Sequence, residues 1–185
     1  MQEEHKKIVR NIRNQESVRK SMYTEHEIQL NEHLAWVERL QSDNRQIVFV
    51  VFVDEAVSGV VSVNNIDKLH LKSDWAFYLD ANVRGGGVGA ALEFSLINFV
   101  FEELGLEKLN CEVIETNEAV VKLHKKFGFV EEGFRRENII KKKKRIGVFF
   151  LGLTKFDWVK QRKRVKTRYE NIIDKFDLEI DYKPA

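Results

Sequence analysis

"VRGGGVGAAL", residues 83–92, sets four glycines and Arg84 between a hydrophobic run and the start of an apolar helix. Glycines at this density let a main chain come close to a phosphate, because no Cβ holds the anion away from the amides. The run before it, "DWAFYLD" (74–80), reads as a strand. After it, Val88, Leu92, Leu96, Phe99 and Leu104 give a helix over about 87–104 a broad apolar face, and Gly105 is a natural stop.

Working outward, "IVFVVFVD" (47–54) and "VVSVNNI" (60–66) form a hairpin about the turn "EAVSG". Apolar residues at helical spacing predict helices over 5–21 (Ile8, Ile12, Val18) and 30–41 (Leu30, Leu34, Val37, Leu40). Beyond the central helix, "KLNCEVI" (108–114) is a strand. Asn117 opens a helix that runs to about Phe127, and Gly128 ends it. "FVEEGFRREN" and "RIGVFFLGL" close a hairpin around a lysine-rich turn, and 155–175 is helical. "DLEIDY" (177–182) is expected as a short edge strand. With no repeat and no linker, one domain over 1–185 is expected, and this element order makes a mixed α/β sheet.

The 185 residues suffice for a proper core. A net charge of +2 gives no global field for nucleic acid. No apolar stretch is long enough for a bilayer, and the charged N-terminus lacks the centre of a secretory signal. Cys111 is the sole cysteine, which fits a reducing, cytoplasmic setting. Scattered His and Cys predict no metal site. The basic clusters at 141–145 and 160–168 read as a solvated turn and the wet face of a helix.

Three patterns compete for the glycine loop. Walker A requires Lys-Ser/Thr where Ala90-Ala91 stands. Gly85, Gly87 and Ala90 fit the dinucleotide fingerprint, but the further parallel strand–helix units of that fold do not follow. Arg84, Gly87 and Gly89 meet R/Q-x-x-G-x-G/A, and Asn117, His124 and Gly128-Phe129 follow at the matching spacing. On these residues the chain resembles the GCN5-related N-acetyltransferases. The stretch from "WAFYLD" to "FGFVEEGFRRE", together with "SMYTEHEIQLNEHLAWVERL" (21–40), is similar to the acetyltransferases of pseudaminic acid synthesis.

The resemblance implies the acyl-CoA N-acyltransferase fold, a central mixed antiparallel/parallel sheet with helices on both faces. It implies acetyl transfer from acetyl-CoA, by direct attack without an acyl-enzyme, to the 4-amine of a UDP-linked amino-dideoxy sugar of flagellin glycans. Gly85, Gly86, Gly87, Val88, Gly89, Ala90 and Arg84 would hold the pyrophosphate. Main chain of Phe77, Tyr78 and Leu79 would hold the pantetheine, at a bulge whose free amide receives the oxyanion. Asn117 would add a side-chain contact to that arm while capping its helix, and Lys122 and Lys125 would reach phosphates. His124 stands where many members have Tyr and would protonate the leaving sulfur. Glu112 interrupts an apolar strand, and burial there would raise its pKa toward that of a base; Asp74 is the alternative. Met22, Tyr23, Trp36 and Tyr78 would line the acceptor. A homodimer is compatible with this family. The alternatives are a ribosomal-protein-type N-terminal acetyltransferase and, from a different class, a nucleic-acid-binding module using the basic clusters. Members normally begin with a strand before the first helix; nothing before His5 supplies one, and the 177–182 segment is the expected substitute. An Asp common on the penultimate strand is replaced by Gly147.

Overall fold

A computed structural model describes residues 1–182. In chain order it places α1 (Glu3–Asn14), α2 (Glu16–Arg19), α3 (Leu30–Leu40), β1 (Ile47–Val53), β2 (Ala56–Asp67) and β3 (Lys72–Leu79) before the glycine loop. Then come α4 (Val88–Asn98), β4 (Lys108–Ile114), α5 (Glu118–Phe127), β5 (Val130–Lys141), β6 (Lys144–Thr154) and α6 (Lys155–Phe176).

The six strands form one sheet in the order β1-β2-β3-β4-β6-β5. All neighbours are antiparallel except β3 and β4. The β1–β2 turn uses Asp54 and Glu55, both at positive φ, as a two-residue hairpin with right-handed strand twist demands. Lys142 and Lys143 close the β5–β6 hairpin in the same conformation.

The expected helix over 87–104 is α4 followed by one π turn, Phe99–Glu103. It is apolar nearly all round because it is enclosed on nearly all sides. Leu96, Ile97 and Phe101 are fully buried, with Val61 and Val63 of β2 and Leu109 of β4 in the same core. On the far side α6 closes over α4: Trp158 is buried and its Nε1 donates to Asn98 Oδ1 at 3.0 Å. Alternation turns Val60 to the other sheet face, where α1 packs with Val9 and Ile12. Helices therefore cover both faces of the sheet.

The expected edge strand at 177–182 does not form. The segment runs beside β1 without pairing, and its Tyr182 ring packs edge-on to Phe49 and Phe99 at 6.3 and 5.2 Å. Its apolar side chains cover that aromatic pair, which removes apolar surface from water. Residues 183–185 of the expected C-terminal element lie outside the described residues. The 160–168 cluster is the wet face of α6, as expected, with Val165 turned inward.

The lysine-rich turn is only partly solvated. Lys141 is buried, and its Nζ donates to Arg19 O at 2.8 Å and to Met22 O. The backbone N–H of Lys142 donates to Glu25 Oε2 at 2.7 Å. The hairpin is thus pinned to the loop after α2. Lys141→Met should release both carbonyls and cost about 1–3 kcal/mol in a thermal or denaturant melt.

Candidate active site

β3 and β4 pair only at Lys72–Asp74 with Lys108–Asn110, and then part. Beyond that point β3 stays paired with β2 as far as Leu79, and β4 with β6 as far as Ile114. Their facing edges are therefore open, and alternate amides and carbonyls of 75–79 and 111–114 point into the gap. The gap is a cleft of about 400 Å³, walled by Phe77, Tyr78 and Leu79 on one side and Cys111, Glu112 and Val113 on the other. The bulge expected near Tyr78–Leu79 is absent: β2 and β3 keep register from Asn64/Asp74 to Gly59/Leu79, and the shift lies at Asn64/Asp67. The splay comes from the parting of β3 and β4. Gly59 permits the close approach there, since a Cβ would stand 2.3 Å from Tyr78 O.

The glycine loop closes one end of this cleft. Gly85 and Gly87 are in the left-handed region (φ 82° and 95°) that other residues enter at a cost. Gly87 is the N-cap of α4 and no side chain caps it; the Ala90 and Ala91 amides bond to Gly87 O, which leaves the Val88 and Gly89 amides and the positive end of the helix dipole available to an anion. Arg84 and Gly89 line the cleft. Arg84 also ties the loop down, with Nε donating to Leu79 O and Nη1 to Ser17 O, both at 3.2 Å. Burial holds its guanidinium below the usual value. Gly86 and Gly87 back onto Phe176 and Ile172 of α6, while Val88 and Ala90 are buried.

At the other end stands His124. Val121, His124 and Phe127 form the buried stripe of α5. The imidazole is 3% exposed, and its Nδ1 lies 2.8 Å from Oε1 of Glu93, which is fully buried on α4. Burial alone pushes the ring down; the Glu93 carboxylate and the Cys111 sulfur outweigh it and lift His124 to about 10. Burial also raises Glu93, against the pull of His124. The two groups therefore share one tightly held proton. The His124 shift contributes stability that is complete below 6.5 and lost as pH rises toward 10, and the raised Glu93 acts in the same direction from its own ordinary value of 4.5 upward.

An open pair of strands, a capless helix start with glycine access, and a proton-bearing group at the far end suit a long ligand with a diphosphate at one end and a reacting sulfur at the other. Residues 2–147 match the acetyltransferase (GNAT) domain family. The chain belongs to the GNAT acetyltransferases. It is 30% identical over 117 residues to the acetyltransferase PseH of Campylobacter jejuni (strain 81-176), covering 63% of this chain and 71% of that one. It is 28% identical over 93 residues to the spermidine N(1)-acetyltransferase of Escherichia coli K12, half of this chain and 48% of that one. The fold superposes on the spermidine N-acetyltransferase of Vibrio cholerae, in complex with CoA and spermine, with TM-score 0.80 at 19% identity over 86% of this chain and 95% of that one. GNAT enzymes transfer acetyl from acetyl-CoA, and the glycine loop and strand gap fit that molecule.

Of the residues expected to line the acceptor, Met22 and Tyr78 line this cleft. The Tyr23 hydroxyl donates to Glu112 Oε2. Burial first, and that carboxylate second, raise the Tyr23 phenol. Glu112 is exposed, contrary to the burial expected for it: the parting of the strands opens its side of β4 to solvent. Cys111 and Val113 are buried at the opposite parity, as alternation predicts. From Tyr23 a broad groove continues between α2 and the β5–β6 hairpin, lined by Arg19, Lys20, Lys142, Lys144 and Arg145. Its carboxylates are engaged: Glu16 with Lys20 at 2.9 Å, Glu25 with the Lys142 amide, and Glu115 with the Gly147 amide at 2.8 Å. Gly147 leaves room for Phe134, whose ring would lie 2.1 Å from a Cβ there.

Several expected residues do not converge. Trp36 packs on His33 within α3, at 5.4 Å between ring centroids, and lines neither cleft nor groove. Lys122 and Lys125 turn outward to Glu118 (3.1 Å) and Glu131 (2.7 Å). Asn117 occupies the N-cap of α5 and lines the cleft, but its side chain makes no capping bond and so is free toward the cleft. Asp74 is engaged with Asn65 at 2.7 Å. Trp75 stacks on Phe77 and lines the cleft. Glu93 escaped the sequence reading. Its signal was there: it is the single ionisable residue in the run Val88–Phe101.

Proposed function

We propose that this enzyme acetylates the primary amine of a nucleotide-linked amino sugar, by direct attack while both substrates are bound. Acetyl-CoA supplies the activated acyl group. The first-turn amides of α4 and Arg84 bind its diphosphate. Open edges of Phe77–Leu79 and Glu112–Ile114 pair with the pantetheine amides, and an inward amide near Tyr78 faces the charge developing on the carbonyl oxygen. Losing one such donor commonly costs ~10²–10³ in rate. Glu112, exposed at the cleft wall and held by Tyr23, takes the amine proton through water. His124 gives the proton on Nε2 to the leaving sulfur. Cys111 lines the same cleft, but burial raises its thiol, which keeps it protonated and a poor nucleophile; this supports direct attack.

The acceptor class rests on one observation: the groove joined to the cleft at Tyr23 is lined by six cations, Arg19, Lys20, Lys141, Lys142, Lys144 and Arg145, against three carboxylates, Glu16, Glu25 and Glu115. It suits a phosphate-bearing amine and repels a polyamine. The likeness to PseH favours a UDP-linked 4-amino-4,6-dideoxy sugar. The test is acetyl-CoA consumption with that nucleotide sugar, with spermidine and with a short peptide bearing a free N-terminus. Turnover of the nucleotide sugar alone is the expected result; preference for spermidine or peptide overturns it. Lys142→Glu with Lys144→Glu should raise the nucleotide-sugar KM by about 10-fold or more at low salt, less at high salt, with acetyl-CoA KM unchanged.

A further inference from the structure

We propose that Glu93 is a positioning residue for the transfer: from inside the core it orients the His124 ring and keeps a proton on Nε2 for the leaving sulfur. This rests on the reading of His124 as the proton donor.

Stability does not account for a carboxylate at this position. Glu93 is fully buried, the single ionisable residue of α4, and only one of its oxygens has a partner. Burying a half-satisfied carboxylate is costly, and an apolar side chain of similar volume usually serves a core as well or better. What the residue does provide is geometry. Oε1 engages Nδ1, which leaves Nε2 as the ring nitrogen available to the cleft that His124 lines. The ring is held on its flanks by Trp75 (5.1 Å), Phe129 (5.3 Å) and Phe77 (6.4 Å). A ring packed among aromatics cannot choose its tautomer by solvation, so the one carboxylate in contact decides it.

The titratable groups acting on His124 are Glu93 from α4 and Cys111 from β4. Tyr169 of α6 lies in the field of Glu93. The lysines of its own helix, Lys122 and Lys125, are turned away into surface pairs. Without Glu93, burial is opposed only by the Cys111 sulfur, and the ring holds its proton less tightly. In the transfer the N–H bond at Nε2 breaks and an S–H bond forms as the carbon–sulfur bond breaks. The ring is left neutral, its Nδ1–H still on Glu93, and regains its proton from the one the amine releases to solvent. Protons therefore balance over the turnover.

The test begins with the full chain alone, ¹⁵N-labelled at histidine, titrated by NMR as wild type, Glu93→Gln and Glu93→Asp. His124 should remain imidazolium through neutral pH and titrate near 10 in the wild type. In Glu93→Gln its midpoint should fall by more than about one pH unit, and in Glu93→Asp it should lie between the two. Turnover with acetyl-CoA and the nucleotide sugar should then show the alkaline limb of kcat moving down with that midpoint. A midpoint unchanged within about half a pH unit in a folded Glu93→Gln overturns the proposal. So does a kcat lowered equally at all pH values, the mark of a purely structural role. If Glu93→Gln does not fold, Glu93→Asp decides by the same criterion. If the nucleotide sugar is not a substrate, the acceptor reading fails while the titration still judges Glu93.

Discussion

Replacing His124 by Phe should lower kcat by about 10²–10⁴-fold, with acetyl-CoA affinity little changed. The ring already sits among Trp75, Phe77 and Phe129, so a phenyl fits the space. What disappears is the proton at Nε2, and the thiolate must then leave as an anion into a largely apolar cleft. The loss should be smaller toward low pH, where solvent can supply the proton. Phe also leaves Glu93 buried without a partner, and that carboxyl will take up a proton rather than remain charged. His124→Gln is the companion variant. It keeps a donor toward Glu93, so its melt should stay near wild type while kcat falls as in the Phe variant. Steady-state kinetics against pH, with circular dichroism for folding, separates the two effects. Turnover unchanged at all pH values in either variant means that the proton comes from elsewhere.

Gly89→Val should weaken acetyl-CoA binding by about 100-fold or more, roughly 2.7 kcal/mol, while the melting temperature changes little. A Cβ at Gly89 meets Phe77 and Leu123 only at 3.7–3.9 Å, ordinary contact distance, so the fold admits a side chain. The extra methyls then occupy the space beside the first-turn amides through which a diphosphate must approach. Gly87 is the contrasting position. Its φ of 95° and a Cβ 2.8 Å from Ile172 make a substitution there a folding defect as well as a binding one. Calorimetric titration with CoA and a thermal melt of each variant read both quantities. Undiminished CoA binding by a folded Gly89→Val would place the diphosphate away from this loop.

Much of this molecule was legible in local sequence. Strand runs such as "IVFVVFV", the glycine stop at Gly128 and the spacing from Arg84 to Phe129 each carry a backbone requirement that short-range chemistry expresses. That is why the order of elements, the mixed sheet and the glycine loop could be read directly. Glu112 was placed on the correct strand face by alternation, but its exposure was misjudged. Exposure depends on where β3 and β4 part, which is a relation between chains of residues far apart in sequence. Lys122 and Lys125, paired with Glu118 and Glu131, and Trp36, packed on His33 of its own helix, are the opposite case: their partners lie within six residues, and spacing along the chain already placed them together.

By itself, then, the chain's local chemistry determined which segments coil or extend, that main-chain amides would gather at the start of α4, and that a histidine would take the inward stripe of α5. Only the packed structure decided that this histidine meets a carboxylate 31 positions earlier on α4, and that a lysine of the hairpin turn would be drawn inward to hold the loop after α2. Helical and strand periodicities act over a few residues and are written in the sequence. The protonation of a buried ring is set by what desolvates it and by the charge beside it, and both are supplied by elements that only the completed fold brings together.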